Sequence, residues 1–464
     1  MGAVNSYIRN RILKQNSMPD LVKVAKFGGT SMADFNAMRR CAAIVLSDPD
    51  KKIVVVSATA GTTNLLTAIA ESRSDSEKLD LADQIHKKHL EICSQLTGNE
   101  ELLNKVTLLL DQLKDRALGG PMTPQYRDEV LSYGERLSST IFAEVLREQA
   151  GEKVSWLDAR EIIATDQNHG RAEPDIEQIE VNARKKLLPN LKNRCFVTQG
   201  FIGRSKSGVT TTLGRGGSDY SAALFAEAVN ADVLEIWTDV TAVYTTDPRI
   251  VTEAKPITEI SFNEAAELSV FGAKVLHPAT MVPAIRKNIR VYVGSSLEPD
   301  QPGTWILKQT KSRPVIRAIS LRRNQTLLTV HSLDMLHRHG FLARLFKVLS
   351  DHKISVDLVT TSEVSVSLTL DTDVTTPGTG YLPDEAIREL KTFCEVEVQR
   401  NLSLIALIGN NLHTTSGLSG PVFSSLEGIN IRLICHGASS HNLCFLVDED
   451  RAESVVRTLH EKFI

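Results

Sequence analysis

No apolar run in the sequence approaches the roughly 20 residues needed to span a bilayer, which argues against a membrane-spanning protein. The six cysteines are scattered without a C-x-x-C pair, and this excludes the usual zinc motifs and a disulfide scaffold. Basic residues form no block and the formal net charge is −3, so neither nucleic acid nor an acidic membrane is an expected partner. An ordinary globular protein of the reducing cytoplasm remains as the expectation.

The N-terminal segment also lacks the apolar core of a secretory signal. It carries Arg9, Arg11 and Lys14 and no acid before Pro19. We expect a disordered tail over residues 1–20; a short targeting peptide and a true start at Met18 are the alternatives. The length of 464 residues leaves room for two to four domains.

Two short apolar segments near the N-terminus enclose an amphipathic stretch. The segment "LVKVAKFGGTS" predicts a buried strand that ends at Gly28 and Gly29, and "KIVVVSATAG" predicts a second one. Between them, apolar residues recur at helical spacing after Ser31 and Asp34, which are the expected capping pair. Such a βαβ unit implies a parallel sheet. With the strands that follow, it predicts one layered α/β domain over residues 21–312.

The composition of the chain changes beyond residue 312, where the sequence repeats itself at a spacing of 77 residues. The matched positions include Leu328 with Ile405, Gly340 with Gly417, and Leu368 with Phe445. Each copy reads as strand, glycine turn, helix, strand, hairpin and strand, which predicts two small α+β modules over residues 313–397 and 398–464. Chance similarity between two amphipathic segments is the alternative.

Three loops of the first domain carry residues suited to binding an anion. "KFGGTS" and "SATAGTTN" follow strands, and "TTLGRGGSD" leads into a helix. Parallel sheets bind ligands where strands end and helices begin. The third loop lacks the G-x-x-x-x-G-K-[ST] of a P-loop and has Asp219 where a dinucleotide fingerprint needs glycine. Because Lys26 and Arg215 add cations beside the glycines, we predict a phosphate-binding site and not three separate tight turns.

These motifs make the chain similar to the amino-acid kinases and, among them, to the aspartokinases. The resemblance runs from Val22 to Phe463 and includes "KFGGTS", "TTLGRGGSD", "WTDV", "YTTDPR" and "FGAKVLHP" in that family's order. "RRNQTLLT" and "GASSHNLCFLV" resemble the monofunctional lysine-sensitive type, and the length leaves no residues for the reductase domain of the bifunctional type. The resemblance implies a three-layer carbamate kinase-like domain followed by two ferredoxin-like ACT domains.

The resemblance also implies a reaction, the transfer of the γ-phosphoryl group of ATP to the side-chain carboxylate of L-aspartate. The product is 4-phospho-L-aspartate, the first intermediate toward lysine, threonine and methionine. Phosphoryl transfer needs mainly positioning and charge neutralisation, so Lys26 and Lys274 are the expected catalytic cations, with Asp219 orienting Lys26 and the phosphates or contacting magnesium. Without the motif around it, Lys274 would read as a solvated helix lysine.

The resemblance assigns further residues to the two substrates. Arg215 can hold the α-carboxylate of aspartate in a bidentate fork, and Glu135 matches the family's acceptor for the ammonium, although alone it would read as a solvated helix residue. The other expected aspartate-binding residues are Ser57, Thr63 and Ser218. The expected ATP-binding residues are Lys26, Gly28, Gly29, Ser31, Thr238, Asp239, Tyr244, Arg249 and Lys274. Mg²⁺ is expected to arrive with ATP, without a dedicated protein cage.

Polar differences between the two repeats predict the effector site. Asp357 and Glu363 of the first copy correspond to Ile434 and Ser440, and two carboxylates suit lysine, which carries two ammonium groups. The expected L-lysine site comprises Met335, His337, Gly340, Phe341, Leu342, Ser355, Val356, Asp357, Ser362 and Glu363. Arg338 departs from the small polar residue of related enzymes. The second copy is expected to form a homodimer contact, with a dimer of dimers as the alternative.

Two other functions stay open at the level of the sequence. A kinase of glutamate or carbamate would share the loops, but end-product sensing by an ACT-like repeat belongs to a biosynthetic branch point. An amino-acid sensor could retain a degenerate kinase domain. The intact set Lys26, Glu135, Arg215, Asp219 and Lys274 argues against it.

Overall fold

The computed structural model describes residues 21–96, 99–120, 122–272, 276, 278–336, 339–370 and 382–464. The tail predicted over residues 1–20 therefore lies outside the described residues. The chain forms two compact units that do not follow chain order. The first comprises Met1–Val243, Ile257–Phe262 and Val275–Thr310, and the second comprises Tyr244–Pro256, Asn263–Lys274 and Lys311–Ile464. The domain limits given above remain predictions.

The first eleven strands belong to the first unit. They are β1 (Lys23–Phe27), β2 (Lys51–Val56), β3 (Val154–Leu157), β4 (Ala164–Thr165), β5 (Cys195–Gln199), β6 (Ile202–Ser205), β7 (Thr210–Thr212), β8 (Val233–Thr238), β9 (Glu259–Ser261), β10 (Arg290–Ser295) and β11 (Thr304–Leu307). The helices of this part of the chain are α1 (Phe35–Leu46), α2 (Thr62–Glu71), α3 (Asp75–Ser94), α4 (Glu100–Leu118), α5 (Pro124–Ala150), α6 (Ile176–Lys186), α7 (Gly217–Val229), α8 (Phe262–Val270) and α9 (Pro278–Lys287). All of α8 except Phe262 belongs to the second unit.

An eight-stranded sheet in the order β3-β5-β2-β1-β8-β10-β11-β9 organises the first unit. The six strands from β3 to β10 are mutually parallel, which confirms the parallel sheet predicted from the βαβ pattern. Phe27, the last residue of β1, pairs with Val56 of β2 and with Trp237 of β8. The carboxyl ends of these three central strands therefore lie at one edge of the sheet. A second sheet contains β4, β6 and β7.

The turn between β1 and α1 differs in one respect from the sequence prediction. Asp34 does cap α1, because its Oδ1 accepts a hydrogen bond of 2.8 Å from the backbone N–H of Ala37. Ser31 does not act as its partner. It lies in a short 3₁₀ turn, and its buried hydroxyl is 2.6 Å from the hydroxyl of Ser296. This tertiary contact replaces the local one that the spacing predicted.

The second unit contains β12 (Ile316–His331), β13 (Val356–Thr361), β14 (Ser365–Leu370), β15 (Glu395–Gly409), β16 (Leu433–His436) and β17 (Asn442–Asp448). Its helices after α9 are α10 (Phe341–Asp351), α11 (Asp384–Leu390), α12 (Ser419–Ser424) and α13 (Ala452–Phe463). The strands form one sheet in the order β13-β14-β12-β15-β17-β16.

The internal duplication is confirmed, since both copies show a long strand, a helix and a two-stranded hairpin in the same order. The long strands β12 and β15 pair with each other and join the copies. Separate apolar cores lie on the two halves, one around Leu328 and Leu368 and the other around Ile405 and Phe445. Among the described helices of both units, none combines the length and the apolar character that a bilayer crossing requires.

Candidate active site

Three loops meet at the carboxyl edge of the central strands. The backbone N–H of Gly28 donates to the carbonyl oxygen of Trp237 at 3.2 Å, and the N–H of Ser57 donates to that of Phe27 at 3.1 Å. A methyl group placed on Gly29 would lie 3.2 Å from the carbonyl oxygen of Ala58. The loops after β1, β2 and β8 therefore pack directly on one another, as the sequence predicted for the first two.

The glycine-rich turn before α7 explains why "GRGGSD" needs bare backbone. Gly216 caps α7 in the left-handed region, with a φ of 69° that residues with side chains rarely adopt. Gly217 follows as the first helical residue, where an added Cβ would lie 2.7 Å from Cδ2 of Phe201. The turn thus brings the N-terminus of α7, with Asp219 in its first turn, close to the sheet. A carboxylate at this end of a helix is stabilised by the helix dipole.

Lys26 and Asp219 form an ion pair at the opening between these loops. Nζ of Lys26 lies 2.6 Å from Oδ1 of Asp219, and the two side chains are only 11% and 17% exposed. Because a largely buried charged group needs a partner of opposite charge, Asp219 supplies that partner and holds the Lys26 side chain in place. The same Nζ lies 3.6 Å from the point where a Cβ of Gly28 would stand. The Lys26 side chain thus lies beside backbone that carries no side chain, which leaves room for a phosphate group.

Glu135 approaches the same opening from α5. The residue is 5% exposed, and its Oε1 accepts a hydrogen bond of 3.2 Å from the N–H of Ala58. Burial raises the pKa of Glu135 to about 8, and the opposing effects of that hydrogen bond and of the Lys26 charge offset only part of the rise. A ligand cation beside Glu135 would favour its ionised form. The carboxyl is therefore suited to receive an ammonium group.

Helix α5 also fixes the loop that follows β2. Gly134 allows the close approach, since a Cβ there would lie 2.8 Å from Cβ of Ala58. The hydroxyl of Ser138, one turn beyond Glu135, donates to the carbonyl oxygen of Ser57 at 2.7 Å. Sequence reasoning missed Ser138, although its spacing of three residues from Glu135 places both on one helix face.

The other predicted aspartate-binding residues lie on these loops with different exposure. Arg215 is exposed on the glycine-rich turn, and Ser218 is half-buried in the first turn of α7. Ser57 is half-buried directly after β2, and Thr63 is exposed in the first turn of α2. These four residues and Glu135, the five predicted for aspartate, therefore lie on the loops and helices described above.

Hydrogen bonds connect several of the residues predicted to bind ATP in the first unit. The hydroxyl of Ser296 connects Ser31 to the carbonyl oxygen of Thr238, at 2.6 and 3.1 Å, and sequence reasoning did not identify Ser296. The hydroxyl of Thr238 donates to the exposed carboxylate of Asp239 at 3.0 Å.

Three further ATP-binding candidates are not described within the first unit. Tyr244 and Arg249 belong to the second unit, where the exposed Arg249 pairs with Asp247 at 2.7 Å. Lys274 lies outside the described residues. Their assignment to ATP remains a prediction.

The predicted effector residues lie in the first repeat of the second unit. Gly340, with a φ of 91°, caps α10, which starts with Phe341 and Leu342, and Met335 precedes this turn. Val356 begins β13, while Ser355, Ser362 and Glu363 are exposed in the adjacent segments. His337 and Arg338 lie outside the described residues.

Asp357 has a partner that the sequence did not predict. Its Oδ2 pairs with Nη1 of Arg322 on β12 at 2.8 Å, and both side chains are about 15% exposed. The arginine pair in "RRNQTLLT" was the available signal, but a spacing of 35 residues gives no hint of contact.

Comparisons with known proteins match both parts of the chain to known families. The profile of the amino acid kinase family matches residues 22–295, and that of the ACT domain matches residues 328–376 and 405–463. Lysine-sensitive aspartokinase 3 of Escherichia coli (strain K12) is 51% identical over 442 residues, which cover 95% of this chain and 98% of that protein.

Solved structures of aspartokinases match this chain in sequence and in fold. The crystal structure of E. coli aspartokinase III with aspartate and ADP (R-state) is 50% identical in sequence and matches with a TM-score of 0.85. The match covers 95% of this chain and 99% of that one. The structure of that enzyme with lysine and aspartate (T-state) is 50% identical, with a TM-score of 0.84 and coverage of 96% of this chain and 99% of that one. The resemblance and the fold class predicted from the sequence are thereby confirmed. The chain belongs to the amino acid kinase family and, within it, to the aspartokinases.

Proposed function

We propose that the site of the first unit transfers the γ-phosphoryl group of ATP to the side-chain carboxylate of L-aspartate, and that L-lysine inhibits the reaction from the repeat region. The observation that carries the proposal is the Lys26–Asp219 ion pair, held at 2.6 Å where three loops and the buried Glu135 converge. The aspartate and ADP bound by the E. coli relative support the choice of substrates.

The amino acid is held by groups of opposite charge. Arg215 forms a bidentate fork with the α-carboxylate, a contact that a single ammonium cannot copy. Glu135 receives the α-ammonium and becomes ionised as it does so, because the ammonium offsets the burial that raises its pKa. Ser57, Thr63 and Ser218 offer hydroxyls around the side chain. The substrate carboxylate then needs no base, since its usual pKa of about 3.9 leaves it ionised.

The phosphoryl group is stabilised by charge and by fixed backbone donors. Lys26 neutralises the negative charge on the migrating group, and the N–H groups near Gly28, Gly29 and Gly217 add donors that need no reorganisation. Asp219 keeps Lys26 in place. Lys274 is the second proposed cation.

ATP is proposed to contact Ser31, Thr238, Asp239, Tyr244 and Arg249, in addition to the glycines and lysines of the phosphate site. Mg²⁺ bound with ATP would be held mainly by nucleotide oxygens, and Asp219 supplies a carboxylate suited to such a hard cation. When bound, the ion supplies further neutralisation of phosphate charge.

Lysine is proposed to bind at the first repeat, with Asp357 as the main acceptor. Arg322 neutralises Asp357 in the structure, so an incoming ammonium would compete with that guanidinium for one carboxylate. Such an exchange would couple effector binding to the β12 strand that joins the two repeats. A homodimer through the repeat region is proposed as the functional assembly. The lysine complex of the E. coli relative supports this regulation.

The proposed reaction is tested by incubating the enzyme with ATP, Mg²⁺ and one acid at a time, and by trapping acyl phosphate with hydroxylamine. L-aspartate is expected to give hydroxamate and ADP in equal amounts, and glutamate and carbamate little of either. Turnover of another acid in preference to aspartate, or no turnover of any acid, would contradict the proposal.

Arg215→Lys should raise the KM for aspartate roughly ten- to hundredfold while the KM for ATP changes little. Lysine keeps the charge but loses the planar fork, and an unmade contact to a charged group costs about 1.5–3 kcal/mol. Steady-state kinetics with each substrate varied would measure this. Arg286→Lys is the matched control, because Arg286 forms a similar fork with Glu227, at 2.9 and 2.6 Å, near the far end of α7. Equal changes in both KM values would refute the assignment of Arg215.

The KM for aspartate should fall as the pH rises toward about 8 and then level off, because Glu135, with a pKa near that value, must ionise to hold the ammonium. Below this pH the change approaches roughly tenfold per pH unit. The KM for ATP serves as the internal control. Glu135→Gln should raise the KM for aspartate and remove this dependence. A wild-type KM for aspartate that stays flat across this range would contradict the role of Glu135.

Asp357→Ala should abolish inhibition by lysine and leave activity without lysine within about twofold, since an effector contact need not touch the transition state. Inhibition curves with lysine, threonine and methionine would measure this. Asp351→Ala is the matched control, because Asp351 forms an exposed pair with Lys347 on α10 at 2.8 Å. Undiminished lysine inhibition in Asp357→Ala, or inhibition by threonine alone, would exclude this placement of the effector.

A further inference from the structure

We infer that Asp128 is a positioning residue that fixes the glycine-rich turn of Arg215 relative to the helix of Glu135, and that it thereby sets the length of acid that the site accepts. The inference rests on the proposed function of those two residues. Asp128 itself contacts neither substrate in the proposed mechanism.

The carboxylate of Asp128 is fully buried and surrounded by hydrogen-bond donors. The N–H of Gly170 lies 3.1 Å from both oxygens, and the N–H of Thr212 lies 3.2 Å from Oδ2. The hydroxyl of Thr212 donates to Oδ1, and Nδ1 of His169 lies 2.7 Å from Oδ2. With donors on both oxygens, the carboxylate is held in one orientation.

These donors belong to the two segments that support the Arg215 turn. Thr212 is the last residue of β7, three residues before Arg215. Gly170 lies behind the turn, since a Cβ on Gly214 would be 3.0 Å from its carbonyl oxygen. Asp128 thus connects both supports of the turn to α5.

The same helix carries Glu135 two turns further on. A separation of seven residues places Asp128 and Glu135 on one face of α5, so movement of either end is transmitted through a rigid helix. Asp128 is therefore the link between the proposed ammonium acceptor and the proposed carboxylate fork. If both α-groups are held at a fixed separation, the side-chain carboxylate reaches one depth in the site, and an acid longer by one methylene is misplaced.

Asp128→Asn is the direct test, because it keeps the size of the side chain. Its amide NH₂ cannot accept, so donors on one side of the carboxylate lose their partner in either orientation of the amide. The expected result is a KM for aspartate at least tenfold higher, with the KM for ATP within about twofold. The preference for aspartate over glutamate, as a ratio of kcat/KM values, should fall by a similar factor.

Asp48→Asn controls for general destabilisation. Asp48 pairs with Lys23 at 2.6 Å and with Lys51 at 3.2 Å, at the amino ends of β1 and β2, opposite the site. It should lower the thermal midpoint without changing either KM or the preference for aspartate. If Asp128→Asn behaves in the same way, Asp128 is structural only and the inference is wrong.

A double-mutant cycle with Arg215→Lys separates positioning from an independent effect. If Asp128 acts through the Arg215 turn, the double variant should raise the KM for aspartate by much less than the product of the single effects. If the KM for aspartate of the double variant instead rises by the product of the two single effects, the inference is wrong. Thr212→Val, which removes one donor and keeps the backbone, replaces Asp128→Asn in the same measurements if that variant does not fold, with the same outcomes expected.

Failure of the inference and failure of the proposed function give different results. A wild-type enzyme that does not phosphorylate aspartate would contradict the proposed function itself. A wild-type enzyme that does so, together with an Asp128→Asn variant that is folded and unchanged in its KM for aspartate, would overturn the positioning role alone.

Discussion

The ion pair between Lys26 and Asp219 is the constraint on which the site depends. A lysine on a central strand, 11% exposed, must have a compensating charge, and the structure supplies it from the first turn of α7. That helix can come close enough only because its N-terminal turn is built from glycine. The position of Lys26 therefore depends on the packing of α7, and that packing depends on the glycines of the turn.

The parallel sheet determines the position of the site in the first unit. Because β1, β2 and β8 end in register, their loops form one opening, and helix α5 adds a buried carboxyl from the side. Burial of that carboxyl raises the pKa of Glu135 to about 8. The site thus combines a lysine side chain held by an ion pair with a buried carboxyl, and the proposed function assigns the first to phosphate and the second to the ammonium of the amino acid.

The sequence was sufficient for the features that local patterns encode. Apolar runs, the glycine-rich turn and the 77-residue repeat predicted the parallel sheet, the start of α7 and the duplicated modules. The sequence could not predict contacts between side chains that are far apart along the chain. Neither Asp128 with Thr212 nor Asp357 with Arg322 leaves a local signal, because such pairs arise from packing and not from spacing. For the same reason, no pattern in Tyr244–Pro256 indicated that this segment belongs to the second unit.

The charge of Lys26 is the most direct test of the whole account. Lys26→Met keeps the length of the side chain and removes the ammonium, and kcat for aspartate phosphorylation would be measured at saturating substrates beside the circular dichroism spectrum. A cation that acts on charge developing in the transition state should cost kcat about a hundredfold or more when it is removed. The account predicts this loss with the fold intact. A folded Lys26→Met enzyme that keeps more than about half of the wild-type kcat would contradict it.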